Sequence, residues 1–142
     1  PIVLVGSFLL GLFAYQLLNQ AIELRVGEQE VIELEVNDSF SLKMRSNPST
    51  GYENCWLNEK KVSLLTLTDT RYNPSWSARL GSDGAGGEEF WEFKALKPGT
   101  DTLFIHNCPV RDVDDEMMPG CEAFIGKIED PDYVIIVKVG GA

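Results

Sequence analysis

Residues 31–44 read VIELEVNDSFSLKM, with apolar and polar side chains alternating from Val31 to Val36 and again from Phe40 to Met44. Alternation at a period of two is the mark of a strand that buries one face. Asn37-Asp38-Ser39 between the two stretches is turn chemistry, so the run predicts a strand, a turn and a strand. Similar alternation recurs at 62–68, 90–95, 102–106 and 133–139. Between these stretches stand Asn47-Pro48, Asn73-Pro74, the Gly-rich 81–87, Lys97-Pro98-Gly99 and Asp130-Pro131-Asp132, all of them breakers. Roughly six or seven short strands, with no helical period among them, predict an antiparallel β-sandwich.

Upstream the composition changes abruptly. Residues 1–22 carry no charged side chain, and Glu23 is the first. This tract is long enough, at about 1.5 Å per residue, to cross a bilayer as a helix. Three readings stay open for it: a membrane anchor, the core helix of a filament or complex, or an uncleaved signal segment. Ser7, Gly11 and Ala14 share one face of such a helix and are small enough for another helix to approach closely. The expected organisation is a hydrophobic helix over 1–25 followed by a sandwich over 26–142. A chain of 142 residues suits one packed core. Its 12 Lys and Arg against 22 Asp and Glu give a net charge of -10, which excludes a nucleic-acid partner.

Two separators carry more than turn chemistry. Ser46-Asn47-Pro48-Ser49-Thr50-Gly51-Tyr52 is followed by Gly84-Ala85-Gly86-Gly87, then Phe90-Trp91-Glu92-Phe93, then Lys97-Pro98-Gly99-Thr100. In this order the chain resembles the chagasin family of cysteine-peptidase inhibitors over about residues 31–139. Those inhibitors have an Asn-Pro-Thr-Thr-Gly-aromatic loop and a Gly-rich loop on a sandwich of immunoglobulin type. The resemblance implies an immunoglobulin-like fold and a wedge of three loops that blocks a papain-like peptidase without being cleaved. Asn47, Pro48, Ser49, Thr50, Gly51 and Tyr52 would form the first contact, with Thr50 nearest the catalytic thiol. Gly84, Ala85, Gly86 and Gly87 would form the second, and Pro109 would mark the third. There the chain departs from the family: it reads Asn107-Cys108-Pro109-Val110-Arg111-Asp112, with no aromatic after the proline.

Cys55, Cys108 and Cys121 allow three single bridges. Cys108 with Cys121 is expected, closing a loop of roughly 14 residues and leaving Cys55 a buried thiol. Cys55 with Cys108 is the rival, since the first and third loops of such a sandwich lie at the same end. A bridge places the sandwich in an oxidising compartment, periplasmic or extracellular, on a membrane-anchored or cell-surface protein.

Other chemistry finds little support. His106 is the only histidine, which leaves Cys55 without the setting of a catalytic nucleophile. No lysine of the phosphate-binding type follows the Gly-rich loop, and no zinc spacing exists. Asp112, Asp114, Asp115 and Glu116 lack the calcium-loop pattern and read as a solvated acidic run. No metal, cofactor or enzymatic activity is expected. Trp56 and Trp91 are expected in the core, Trp76 outside it. Two functions follow: a tethered inhibitor of papain-like peptidases, or a structural subunit, pilin-like or in a membrane complex, whose helices associate as a homo-oligomer.

Overall fold

The computed structural model of the chain describes residues 20–82, 84–109 and 120–141. Among the described residues eight strands form two four-stranded sheets. The first has the order β1 (Ile22–Glu23), β3 (Ser39–Ser46), β6 (Gly87–Ala95), β5 (Leu65–Pro74). The second has β2 (Gln29–Glu35), β8 (Tyr133–Gly140), β7 (Gly99–Pro109), β4 (Tyr52–Trp56).

The alternation read from the sequence becomes the inner faces. Phe40, Leu42 and Met44 of β3, Trp91, Phe93 and Ala95 of β6, Leu103 and Ile105 of β7, and Tyr133, Ile135, Val137 and Val139 of β8 are buried in one cluster. Phe93 lies at its centre, stacked on Phe40 at 5.4 Å and edge-on to Trp56 at 5.2 Å between ring centroids. Such aromatic contacts add to the area buried by each ring.

The sandwich is mixed rather than antiparallel throughout. β1 runs parallel to β3 and β2 parallel to β8, each pair at a sheet edge. The turn between β2 and β3 is therefore not a hairpin: it carries the chain from one sheet to the other. Asn37, at φ 73°, and the Asp38 side chain, which accepts from the Glu35 amide at 2.9 Å, set that corner.

Three further features differ from expectation. The sandwich starts before residue 26, because Ile22–Glu23 pairs with β3 and Leu24 is buried in the core. β5 begins at Leu65 and continues through Asn73-Pro74, proline being tolerated at the end of an edge strand. β4, hidden beside the loop motif, was not expected at all. The proposed helix face of Ser7, Gly11 and Ala14 lies outside the described residues, as does the acidic run 112–116. Among the described residues no helix is long and apolar enough to cross a membrane.

Candidate functional site

β3, β5 and β7 run toward one end of the sandwich, and β4, β6 and β8 return from it. The connections 47–51 and 75–86 are thus brought together there, with the end of β7. Pro109 closes the β7 ladder directly opposite Tyr52 of β4, so the first connection and the start of the third lie side by side at one end of that sheet.

The first loop is a tight structure. Pro48–Thr50 forms a single 3-10 turn, and Gly51 ends it at φ 81°, a left-handed conformation that suits glycine. Asn47 organises the turn. Its carbonyl accepts from the Thr50 hydroxyl at 2.7 Å and from the Thr50 amide at 3.1 Å, while its Oδ1 accepts from the Ser49 hydroxyl at 2.7 Å. Its Nδ2 donates to the Gly84 carbonyl at 2.7 Å, which ties the first loop to the second. Ser49 and Thr50 remain exposed at the tip.

The glycines of the second loop do different jobs. A Cβ on Gly86 would stand 2.6 Å from the Ser46 carbonyl oxygen and 3.1 Å from the Asn47 Cβ. One on Gly87 would overlap the Asn73 carbonyl and lie 2.8 Å from the Pro74 Cα. The missing side chains let the two loops and β5 close on one another. Gly84, at φ 75°, has open space where a Cβ would be. Ahead of them Trp76–Arg79 forms a one-turn helix, α1, capped by Ser75 Oγ accepting from the Ala78 amide at 3.3 Å. Trp76 stands outside the core and Trp56 and Trp91 inside it, as expected.

Beneath the loops a polar plug joins the two sheets, and nothing in the sequence pattern signalled it. Asn54 of β4, buried, donates through Nδ2 to the Arg45 carbonyl at 3.1 Å and to Glu89 Oε2 at 2.9 Å. Its Oδ1 accepts from Asn107 Nδ2 of β7 at 3.0 Å, and Glu89 Oε1 accepts from Trp91 Nε1 at 2.7 Å. One network therefore holds the roots of the first loop, the second loop and the end of β7.

The cysteines pair differently from the expectation of Cys108 with Cys121. Cys55 is bonded to Cys121, with 5.4 Å between Cα atoms, and Cys108 is the buried free thiol. The physical reason is a second small core on the outer face of β4 and β7. There Cys55, Leu57 and Cys108 pack against Phe104, Cys121 and Phe124, so the 3-10 turn Cys121–Ala123 seats over β4. Burial pushes the Cys108 thiol up, with the Asp132 carboxylate adding to it. Asp132 accepts from the Asn107 amide at 2.7 Å and lies 3.0 Å from His106 Nδ1. That second contact has ion-pair distance but lacks hydrogen-bond alignment, so Nδ1 gains no directional partner from it. Among the described residues no group of three or more His, Cys, Asp or Glu side chains is placed to hold a metal ion.

A two-sheet sandwich that gathers preshaped loops at one end has the architecture of a protein-binding module, its loops held on a rigid scaffold. The chain belongs to the chagasin family: the model described as chagasin family peptidase inhibitor I42 matches residues 33–117. The family consists of inhibitors, not enzymes. Among solved structures, amebosin shares 16% identity over 86% of this chain and 100% of its own, with a TM-score of 0.52, a likeness of fold. The cysteine protease inhibitor EhICP2 of Entamoeba histolytica shares 19% identity over 78% of this chain and 96% of its own, with a TM-score of 0.44. PbICP-C, solved in complex with falcipain-2, shares 13% identity over 87% of this chain and 100% of its own, with a TM-score of 0.45. No curated protein matches.

Proposed function

We propose that this chain is a reversible inhibitor of papain-like cysteine peptidases. The 47–52 loop enters the centre of the cleft, Gly84 to Gly87 lies along one flank, and Pro109 marks the start of a third contact. The observation that carries this reading is the bond from Asn47 Nδ2 to the Gly84 carbonyl. It sets the first two loops as one unit, so little conformational freedom is lost on binding. Tethering through the apolar tract ahead of β1 and exposure of the sandwich to an oxidising compartment form part of the proposal. The Cys55 to Cys121 bridge supports the compartment.

Titration of the 142-residue chain against a panel of papain-like peptidases tests the reading. Inhibition should be reversible by dilution. It should weaken by about tenfold or more on Thr50→Arg, because the new charge, hydrated on the exposed tip of the free chain, would lose water on entering the cleft. A folded chain that inhibits no member of the panel at high micromolar concentration would overturn it.

A further inference from the structure

We propose that Trp76 and Leu80 form an apolar anchor that docks on the rim of the peptidase cleft, beside the entry point of the first loop; this rests on the inhibitor reading above. Trp76 is 73% exposed and Leu80 70%, more than the other large apolar side chains among the described residues. They are four apart on one helical turn, so they face the same way. Leu80 donates its amide to the Trp76 carbonyl at 3.1 Å, which fixes their spacing.

The turn that carries them is held from several sides. Ser75 caps its start and donates its own amide to the Gly86 carbonyl at 3.0 Å. Arg79 Nη2 donates to Asn73 Oδ1 of β5 at 2.7 Å. Trp76 is therefore exposed on a rigid mount rather than on a loose tip. An aromatic ring presented in this way binds at small entropic cost, and aromatic anchors concentrate interface energy.

Position identifies the occupant. Trp76, Asn47, Gly84 and Gly86 line one open depression of about 1150 Å³, so the Trp76 half of the anchor is continuous with the two loops, with Leu80 outside the depression. Ser77 and Ala78, the residues of the turn between Trp76 and Arg79, are small and uncharged, and the Arg79 guanidinium is engaged with Asn73. The exposed Trp76 and Leu80 side chains call for an apolar contact on the rim, although Arg45, Glu88 and Asp132 also line the depression.

The test compares inhibition constants of the 142-residue chain with those of Trp76→Ala, Leu80→Ala, the double variant, Trp76→Phe and Thr50→Arg, against papain and two relatives. Melting temperatures and sedimentation are measured for each. The double variant should inhibit about tenfold or more weakly with an unchanged melting temperature, and Trp76→Phe should stay within about threefold of the parent. If the double variant inhibits within about twofold of the parent while Thr50→Arg is weakened, the anchor is overturned and the inhibitor reading stands. If the parent chain inhibits nothing, the inhibitor reading falls and the anchor with it. A patch whose removal dissolves a dimer but leaves inhibition intact belongs to a second copy of the chain, and the proposal is overturned.

Discussion

Asn47 and Gly84, 37 residues apart in sequence, are joined by a 2.7 Å hydrogen bond from the amide of one to the carbonyl of the other. Asn47→Ala removes this bond together with the acceptor used by Ser49. Both are exposed, so stability should fall by only about 1 kcal/mol, whereas inhibition should weaken by about tenfold as the loops lose their common geometry. Paired melting curves and inhibition constants separate the two effects.

Gly86→Val introduces atoms where the Ser46 carbonyl and Asn47 Cβ already stand. Both neighbours are part of the first loop or its root, so the loops must separate. A cost of about 1–3 kcal/mol in stability and a marked loss of inhibition are expected. Wild-type stability by urea titration would show that the two loops do not need this close approach.

Asn54→Ala empties the polar plug and leaves Asn107 and Glu89 without one partner each. A loss of about 1–3 kcal/mol follows from the desolvated groups left behind. Because the plug lies under all three connections, inhibition should fall beyond what the loss of folded chain explains, measured at a temperature where the variant is fully folded.

Peptide mapping without reduction should recover Cys55 linked to Cys121. Cys108 should react with a thiol reagent only after denaturant is added, because it is fully buried. Chain entropy for a bridge between residues 66 apart in sequence gives a stabilisation of about 4 kcal/mol, so Cys55→Ser with Cys121→Ser should lower the urea midpoint substantially. A Cys108 adduct formed at once on the native chain would contradict the packing.

Stability should decline in alkali. Burial, with Asp132 adding to it, raises Cys108; burial and Asp132 raise Tyr133 as well, against the opposing Arg45 charge. Both groups are neutral when protonated, so the unfolded chain gives up these protons first as pH rises. Their contribution is therefore intact below the ordinary thiol value of about 8.5 and is lost progressively above it and above about 10 for the phenol. Urea midpoints at pH 7 and pH 9.5 measure this, and Cys108→Ala should reduce the difference. Equal midpoints for the parent at the two pH values would show the shifts to be absent.

The strands that could be read from the sequence were those with one face in the main core. β3, β6, β7 and β8 alternate because their inner faces meet the other sheet. β4 could not be read this way. Cys55 and Leu57 bury against a second core on its outer side while Asn54 and Trp56 are buried on the inner one, so both faces are occupied and the period of two disappears. That second core also determines the disulfide, since spacing along the chain could not reveal that Cys121 lies over β4. The loop residues Asn47 to Tyr52 and Gly84 to Gly87 were visible as motifs. The Asn54 plug was not, because a single asparagine in a strand looks the same whether it faces water or a carboxylate. The corner at Asn37-Asp38 was read as a turn, but local sequence does not distinguish a hairpin from a crossing between sheets.

The parallel edge pairs give the molecule a polarity. β1 and β3 both rise toward the loop end, and β2 and β8 both descend from it. The chain thus enters β1 from the side remote from Thr50 and reaches Gly140 on that same side, where Gly140 is level with Glu35. A linkage made through the last residues of β8, whether to a bead, a dye or a carrier protein, would leave the 47–52 tip facing outward. The fold is in this sense a display handle, with its grip and its working tip at opposite poles.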